Sequence, residues 1–169
     1  MSNEAEIELK FWKALQDDRV VMLGLTGDDG HSQPMSAQTL HDESARGPIW
    51  FFTSKDSDLV RTMGASHRAT LDFSSKGHEL FASVQGELTA SNDRAIIDRL
   101  WNRYVAAWFE GGKDDPKLQL IRFDPEHGHV WLSENHLMAG VKMLLGRDPK
   151  VEYRDNVADI RMGRPSSTS

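Results

Sequence analysis

The stretch Ile49-Trp50-Phe51-Phe52-Thr53-Ser54-Lys55-Asp56-Ser57-Asp58-Leu59-Val60 constrains this chain more than any other. It opens as an apolar, aromatic run that reads as a buried strand. It then breaks into hydroxyls, a lysine and acids, and Asp58-Leu59-Val60-Arg61-Thr62-Met63 reads as the start of a helix. A strand that delivers hydroxyls and a cation to a helix N-terminus suits an anion, because backbone N–H groups are free there and the helix dipole favours negative charge. The alternative is an ordinary strand-to-helix turn in which Ser54 or Ser57 caps the helix.

The elements on either side predict an α+β chain that is mainly β. Glu4 to Asp18 reads as an amphipathic helix with Ile7, Phe11, Ala14 and Leu15 on one face. Val20 to Leu25 is a short apolar run expected to be a strand buried on both faces. Thr26-Gly27-Asp28-Asp29-Gly30 is a hairpin turn, and Ser32 to Leu40 is the returning strand, whose Pro34 requires an edge, a bulge or a strand start. A polar loop spans His41 to Pro48. Further strands are expected at Ala69–Ser74 and Glu79–Ala90, with Gly86 marking a bulge or a close backbone approach. Ser91-Asn92-Asp93 starts a helix whose stripe Ile96, Ile97, Leu100, Trp101, Tyr104, Val105 and Trp108 belongs either to the core, as expected for Ile97, Leu100 and Tyr104, or to a subunit interface. Lys117–Phe123 and His129–Leu132 read as two strands joined by a loop through Pro125, and Asn135–Leu145 as a short closing helix. Residues 1–146 are expected to form one domain, with 147–169 an extension whose end, Arg164 to Ser169, is disordered. Hairpin-like clustering and the lack of a Gly-rich dinucleotide fingerprint disfavour a parallel α/β sheet.

Several function classes fall away on composition. With 169 residues the chain suits one domain. A net charge of −6 argues against nucleic acid as a partner. The absence of cysteine excludes disulfides, thiol nucleophiles and thiolate metal sites. No apolar run approaches a membrane span, and the acidic start is unlike a signal peptide, so the expected location is the cytoplasm.

Three motifs occur in order: Gln33-Pro34-Met35-Ser36-Ala37, Trp50 to Ser57, and Gly111-Gly112-Lys113-Asp114-Asp115-Pro116. Together, over almost the whole chain, they resemble the general stress protein branch of the pyridoxamine phosphate oxidase-like family. That resemblance implies a split β-barrel, a homodimer, and FMN at the dimer interface, with FAD or a deazaflavin as alternatives. It places Gln33, Met35 and Ser36 along the flavin ring and ribityl chain, and Phe52 and Thr53 on the next strand facing the cofactor. Ser54, Lys55 and Ser57 fall at the phosphate turn. Trp108 precedes the glycine-rich loop, which the family sets near the cofactor held mainly by the other subunit.

The departures from the family pattern matter as much. Gln33 stands where the family commonly has arginine, and Leu59 at or beside a position where it has lysine or arginine. Asp56 and Asp58 would repel a phosphate unless they point away. Lys55 could compensate, and Arg61 or Arg68 could reach in. The resemblance therefore implies weaker FMN binding than in a relative with both cations. It implies either a flavin reductase or oxidoreductase, or a non-catalytic flavin carrier or sensor, or a structural dimer with a vestigial pocket. Pyridoxamine phosphate oxidase activity itself is not expected, because its substrate-phosphate residues have no match here.

Two further patterns add little chemistry. His127-Gly128-His129 would form a metal pair on a strand face, but Pro125 and Gly128 suggest a turn in which the rings diverge, so no metal site is predicted. No nucleophile elbow or general base stands out, and catalytic residues are not assigned.

Overall fold

Antiparallel pairing organises the computed structural model, which describes residues 3–40, 46–133 and 157–163. After helix α1 (Asn3–Asp17) come strands β1 (Val20–Leu25), β2 (Gln33–Ser36) and β3 (Ile49–Ser54), then helix α2 (Asp58–Met63). Strands β4 (Ser66–Ser74) and β5 (Leu80–Ser91) precede two short helices, α3 (Arg94–Leu100) and α4 (Arg103–Ala106), and strands β6 (Leu118–Leu132) and β7 (Val157–Arg161) follow. The strands form one seven-stranded sheet in the order β2-β1-β4-β5-β6-β3, with β7 added to β6. The two ends of that path meet at one bridge, where Gln38 and Trp50 exchange backbone hydrogen bonds of 2.8 Å each. Beyond that bridge no ladder joins β2 and β3 among the described residues, so the sheet curls into a barrel that stays split.

Two cores fill this frame. Inside the curl, Phe11, Leu15, Leu23, Phe51, Leu71, Leu88, Ile121 and Phe123 are at most 1% exposed. Each such side chain contributes roughly 1.5–3 kcal/mol relative to exposure. Helix α1 lies across β7, β6 and β5 and sets Phe11 edge-on to Trp12 and Phe73. Its one buried acid, Glu8, is held by Arg46 through two contacts of 2.8 Å. A second cluster packs Trp50, Leu118 and Leu120 against Ile97, Leu100, Val105 and Phe109 from the helical segment. Strand β3 separates the two, with Ile49 and Phe51 facing one core and Trp50 the other. That double burial is why its sequence is an unbroken apolar run.

Several expectations are corrected. Strand β1 is buried on one face only: Val21 and Leu23 point inward, while Val20 is 59% and Met22 42% exposed. Regular pairing in β2 covers Gln33–Ser36 and not the whole of Ser32–Leu40, and Pro34 sits on this edge strand, where its missing donor costs nothing. The stripe from Ile96 to Trp108 is not one helix. Asn102 interrupts it, its side-chain oxygen accepting from the N–H groups of Tyr104 and Val105 at 2.9 and 3.0 Å and so starting α4. Tyr104, expected in the core, is 69% exposed.

Lys117 to Leu132 is likewise a single strand from Leu118 rather than two. The pairing of β5 with β6 shifts between Gln85, opposite His127, and Gly86, opposite Pro125, leaving Glu126 as the extra residue of a bulge. The bulge accommodates proline inside a long strand. It also frees the Glu126 carbonyl to accept from Met162 and Gly163 at the end of β7. The expectation for Gly86 holds, since a Cβ there would lie 2.2 Å from the Asp124 carbonyl oxygen. Because the strand continues, His127 and His129 do not diverge. They share a face and both approach Asp159 of β7, His129 through a short hydrogen bond and His127 at 4.0 Å. Among the described residues no group of three or more potential ligands could hold a metal ion. Strand β7 itself, which buries Ala158 and Ile160 and is followed by the buried Met162, had no counterpart in the reading of the sequence. The expected helix at Asn135–Leu145 and the tail after Gly163 lie outside the described residues.

Candidate functional site

The split between β2 and β3 opens into a cleft of about 830 Å³. Its apex is the Gln38–Trp50 bridge, and its mouth lies between Pro34 and Ser54. At about 3.3 Å per strand residue, Trp50 and Ser54 mark ends about 13 Å apart. Pro34, Met35 and Ser36 form one wall and Phe52, Thr53 and Ser54 the other, while Tyr104, Val105, Trp108 and Phe109 close the side. Phe52 is fixed by an edge-on contact with Trp101, ring centres 6.1 Å apart. The walls are mainly apolar and aromatic, with hydroxyls and amides at their edges.

Six of the nine residues singled out in the sequence line this cleft: Met35, Ser36, Phe52, Thr53, Ser54 and Trp108. The other three lie outside the lining. Gln33 pairs with Leu23 at the start of β2, and Lys55 is exposed at the turn. Ser57 caps α2, its hydroxyl accepting from the Val60 N–H at 3.3 Å, as the plainer of the two readings had it. Asp56 and Asp58 are also outside the lining, so no carboxylate of that turn faces the cleft. Leu59 is 8% exposed and belongs to the core. Arg68, considered as a reserve cation, is instead paired with Glu126 and with Glu87 across the sheet.

The structure adds residues that the sequence did not single out. Arg19, just before β1, lines the cleft and donates from its guanidinium to Gln38 Oε1 at 2.9 Å. Gln38 is 8% exposed and donates in turn to the Ser36 hydroxyl at 3.2 Å. Asn102 and Tyr104 enter because α3 and α4 are separate. The signal for that break was present, since Asn is a strong N-cap and lies between two apolar groups.

The Gly-Gly-Lys-Asp-Asp-Pro loop is a device for holding the segment after Trp108. Asp115 accepts from the N–H groups of Lys117 at 2.9 Å and Gly111 at 3.0 Å, which holds its carboxyl below the ordinary range. A Cβ on Gly111 would lie 2.9 Å from the Asp115 Cα, and Gly112 has φ +66°. Lys113 pairs with Asp98 at 3.1 Å and lowers its pKa, while Asp114 pairs with Arg94 at 2.6 Å and raises that of the guanidinium. The loop is thereby tied to α3, and none of its own residues lines the cleft.

The Pyridoxamine 5'-phosphate oxidase like family matches residues 6–150. The chain belongs to that family. Among solved structures it is 56% identical to a general stress family protein of Xanthomonas campestris pv. campestris, with a TM-score of 0.73 over 80% of this chain and 92% of that one. It is also 56% identical to the general stress FMN/FAD binding protein of Xanthomonas citri, with a TM-score of 0.71 over 77% and 91% of the two chains. General stress protein 26 of Jannaschia sp. CCS1 is 33% identical, with a TM-score of 0.77 over 94% and 99%. The split-barrel architecture is thus that of the family. The aligned stretches span 51% and 34% of the length of the two curated relatives that the chain matches.

Proposed function

We propose that this protein binds FMN in the β2–β3 cleft, as a general stress protein-like flavoprotein. The observation that carries the reading is the cleft itself, where aromatic and apolar walls alternate with hydroxyl and amide groups. That is the lining a planar ring with polar edges needs, and the volume falls in the usual range for cofactor sites. The Xanthomonas citri relative, described as FMN/FAD binding, supports it. Phe52 and Met35 would flank the ring, and Thr53 and Ser36 would bond its polar edge. Ser54 would carry the phosphate end at the mouth, with Lys55 the cation next to it in sequence. When bound, the flavin supplies reversible electron and hydride transfer, and the chain supplies orientation and exclusion of water.

A homodimer is part of the proposal. Trp108 is 84% and Tyr104 69% exposed at the side of the cleft. Val20 and Met22 pair directly with Ser36 and Pro34, so they extend the same face. A second copy would cover this apolar surface and complete the site. No helix among the described residues is long and apolar enough to cross a membrane, which leaves β-barrel spans unaddressed. A cytoplasmic setting is compatible with the lack of cysteine.

Two roles suit such a protein. A flavin-dependent oxidoreductase oxidises NADH or NADPH steadily with FMN bound, while a carrier or sensor does not. The purified protein should show a flavin visible spectrum, or gain one with added FMN. Steady nicotinamide oxidation above a flavin-only control would select the enzyme, and its absence in FMN-loaded protein the carrier.

A further inference from the structure

We infer that the hollow between the end of α1 and the β4–β5 turn is a second binding site, and that it takes a short zwitterionic peptide of two or three residues. The inference stands apart from the flavin reading, because no residue lines both this hollow and the β2–β3 cleft.

The hollow has a volume of about 340 Å³, within the range of small-molecule sites. Its apolar wall is Ala14 of α1, Leu80 of β5 and Leu132 of β6. Around that wall stand three cations, Lys10, Lys13 and Lys76, and three acids, Asp17, Asp18 and Glu79. Lys13 and Asp17 are four residues apart on one helix, a spacing at which opposite charges are neighbours. Yet none of the six side chains forms an ion pair or a hydrogen bond among the described residues. A lysine ahead of its acid is the weaker order for such a pair, which leaves both charges free for a third party. The end of α1 points the same way. Asp17 closes the helix, Asp18 follows it, and no basic residue lies in the last turn. Acids there oppose the helix dipole, so the helix end and both carboxylates together offer negative potential to a ligand cation.

The opposite rim is built in advance. The Ser75 N–H donates to the Leu80 carbonyl at 2.9 Å, and the Ser75 hydroxyl accepts from the Leu80 N–H at 3.0 Å. Gly77 and His78 take positive φ of 86° and 61°, and His78 stacks on Phe81 with ring centres 6.0 Å apart. The Glu79 carbonyl accepts from the Ser133 N–H at 2.8 Å. Lys76 and Glu79 are therefore presented from a fixed turn. Spacing along α1 sets the length of the ligand. At about 1.5 Å per residue, Asp17 lies about 6 Å past Lys13 and about 10 Å past Lys10. An extended peptide gains about 3.3–3.6 Å per residue, so two or three residues bring an ammonium to Asp17 and Asp18 and a carboxylate to the lysines. A single α-amino acid is too short to reach both.

The test titrates the full chain with trialanine and follows the backbone amides of Ala14, Leu80 and Leu132 by NMR. N-acetyl-trialanine, which lacks the ammonium, and trialanine amide, which lacks the carboxylate, are the controls. Trialanine should bind about fivefold or more tighter than either blocked form, because each blocked form loses one charge-assisted contact. Free alanine should bind no tighter than the blocked peptides. The double variant Lys10→Gln, Lys13→Gln should lose most of the preference over trialanine amide and keep the preference over N-acetyl-trialanine. The double variant Asp17→Asn, Asp18→Asn should do the reverse. Equal affinity of wild type for trialanine and both blocked forms would overturn the proposal. So would the absence of any shift at millimolar trialanine, or shifts confined to the β2–β3 cleft. Double variants that weaken all three peptides alike would overturn it too, since the charges would then have no assigned partner.

Discussion

Replacing Gly86 by alanine tests the architecture at its most crowded point. Gly86 lies in β5 between Ala69 of β4 and Pro125 of β6, at the register shift. A methyl group there would sit 2.2 Å from the Asp124 carbonyl oxygen, 3.0 Å from its carbon and 3.0 Å from Phe123 Cζ. Ordinary contact begins near 3.4 Å, so the β5–β6 ladder must open by about 1 Å. The obstacle is backbone, held on both sides, and cannot rotate away. Overpacking of this kind costs up to about 3 kcal/mol. Gly86 has no positive φ, so alanine also gains roughly 0.4–1 kcal/mol by restricting the unfolded chain. The net is a loss of about 2 kcal/mol, or about 4–8 °C in Tm for a chain of this size. Gly24→Ala is the matched control. Its Cβ would lie 2.4 Å from the Ser32 hydroxyl oxygen, but that is the end of a side chain free to turn, and the change should cost under about 1 kcal/mol. Thermal melts of both variants decide the matter. A Gly86→Ala melt within about 1 °C of wild type, or a Gly24→Ala loss as large as that of Gly86→Ala, refutes the reasoning.

Other perturbations reach the site and the surface. Asn102→Ala removes the cap that starts α4 and should cost about 1 kcal/mol while weakening FMN binding, because Tyr104 and Val105 follow directly; calorimetry with unchanged stability and affinity would contradict this. Trp108→Ala should weaken self-association, which sedimentation at micromolar concentration reads; a dimer as tight as wild type would place the interface elsewhere. The His129 hydrogen bond holds the Asp159 carboxyl below its ordinary range. A depressed carboxyl stabilises the fold fully above its unfolded pKa and loses that contribution as pH falls through the folded value. Asp159→Asn should therefore lower Tm at neutral pH, with the gap closing as pH drops below the ordinary carboxylate range; a gap that stays constant would dismiss the pair.

Much of the frame was legible because local signals agreed with their context. The period of α1, the alternation of β4 and β5, and the edge position of Pro34 each follow from a side-chain pattern that packing did not override. Pro125 misled because proline reads as a break, and only the pairing with Gly86 reveals the bulge that tolerates it. Asn102 misled in the opposite sense, since apolar residues at helical spacing ran across a cap. In the site, residues on the walls were legible from their motifs, Met35 and Phe52 among them. Arg19 was not, because it joins the lining beside Gln38, whose bridge to Trp50 links segments apart in the chain and leaves no local mark. Lys55 and Ser57 belong to the motif but sit just outside the lining, where the chain turns away into α2.

The claim that the β2–β3 cleft is a flavin site is met most directly by the melting temperature of the purified protein titrated with FMN. A ligand of the native state at about 100 times its Kd stabilises by about 2.7 kcal/mol. For a chain of this length that is a rise of about 5–11 °C. The account predicts such a rise, saturating with concentration and reduced in Phe52→Ala. No shift with FMN, FAD or a deazaflavin at saturating concentration would contradict it.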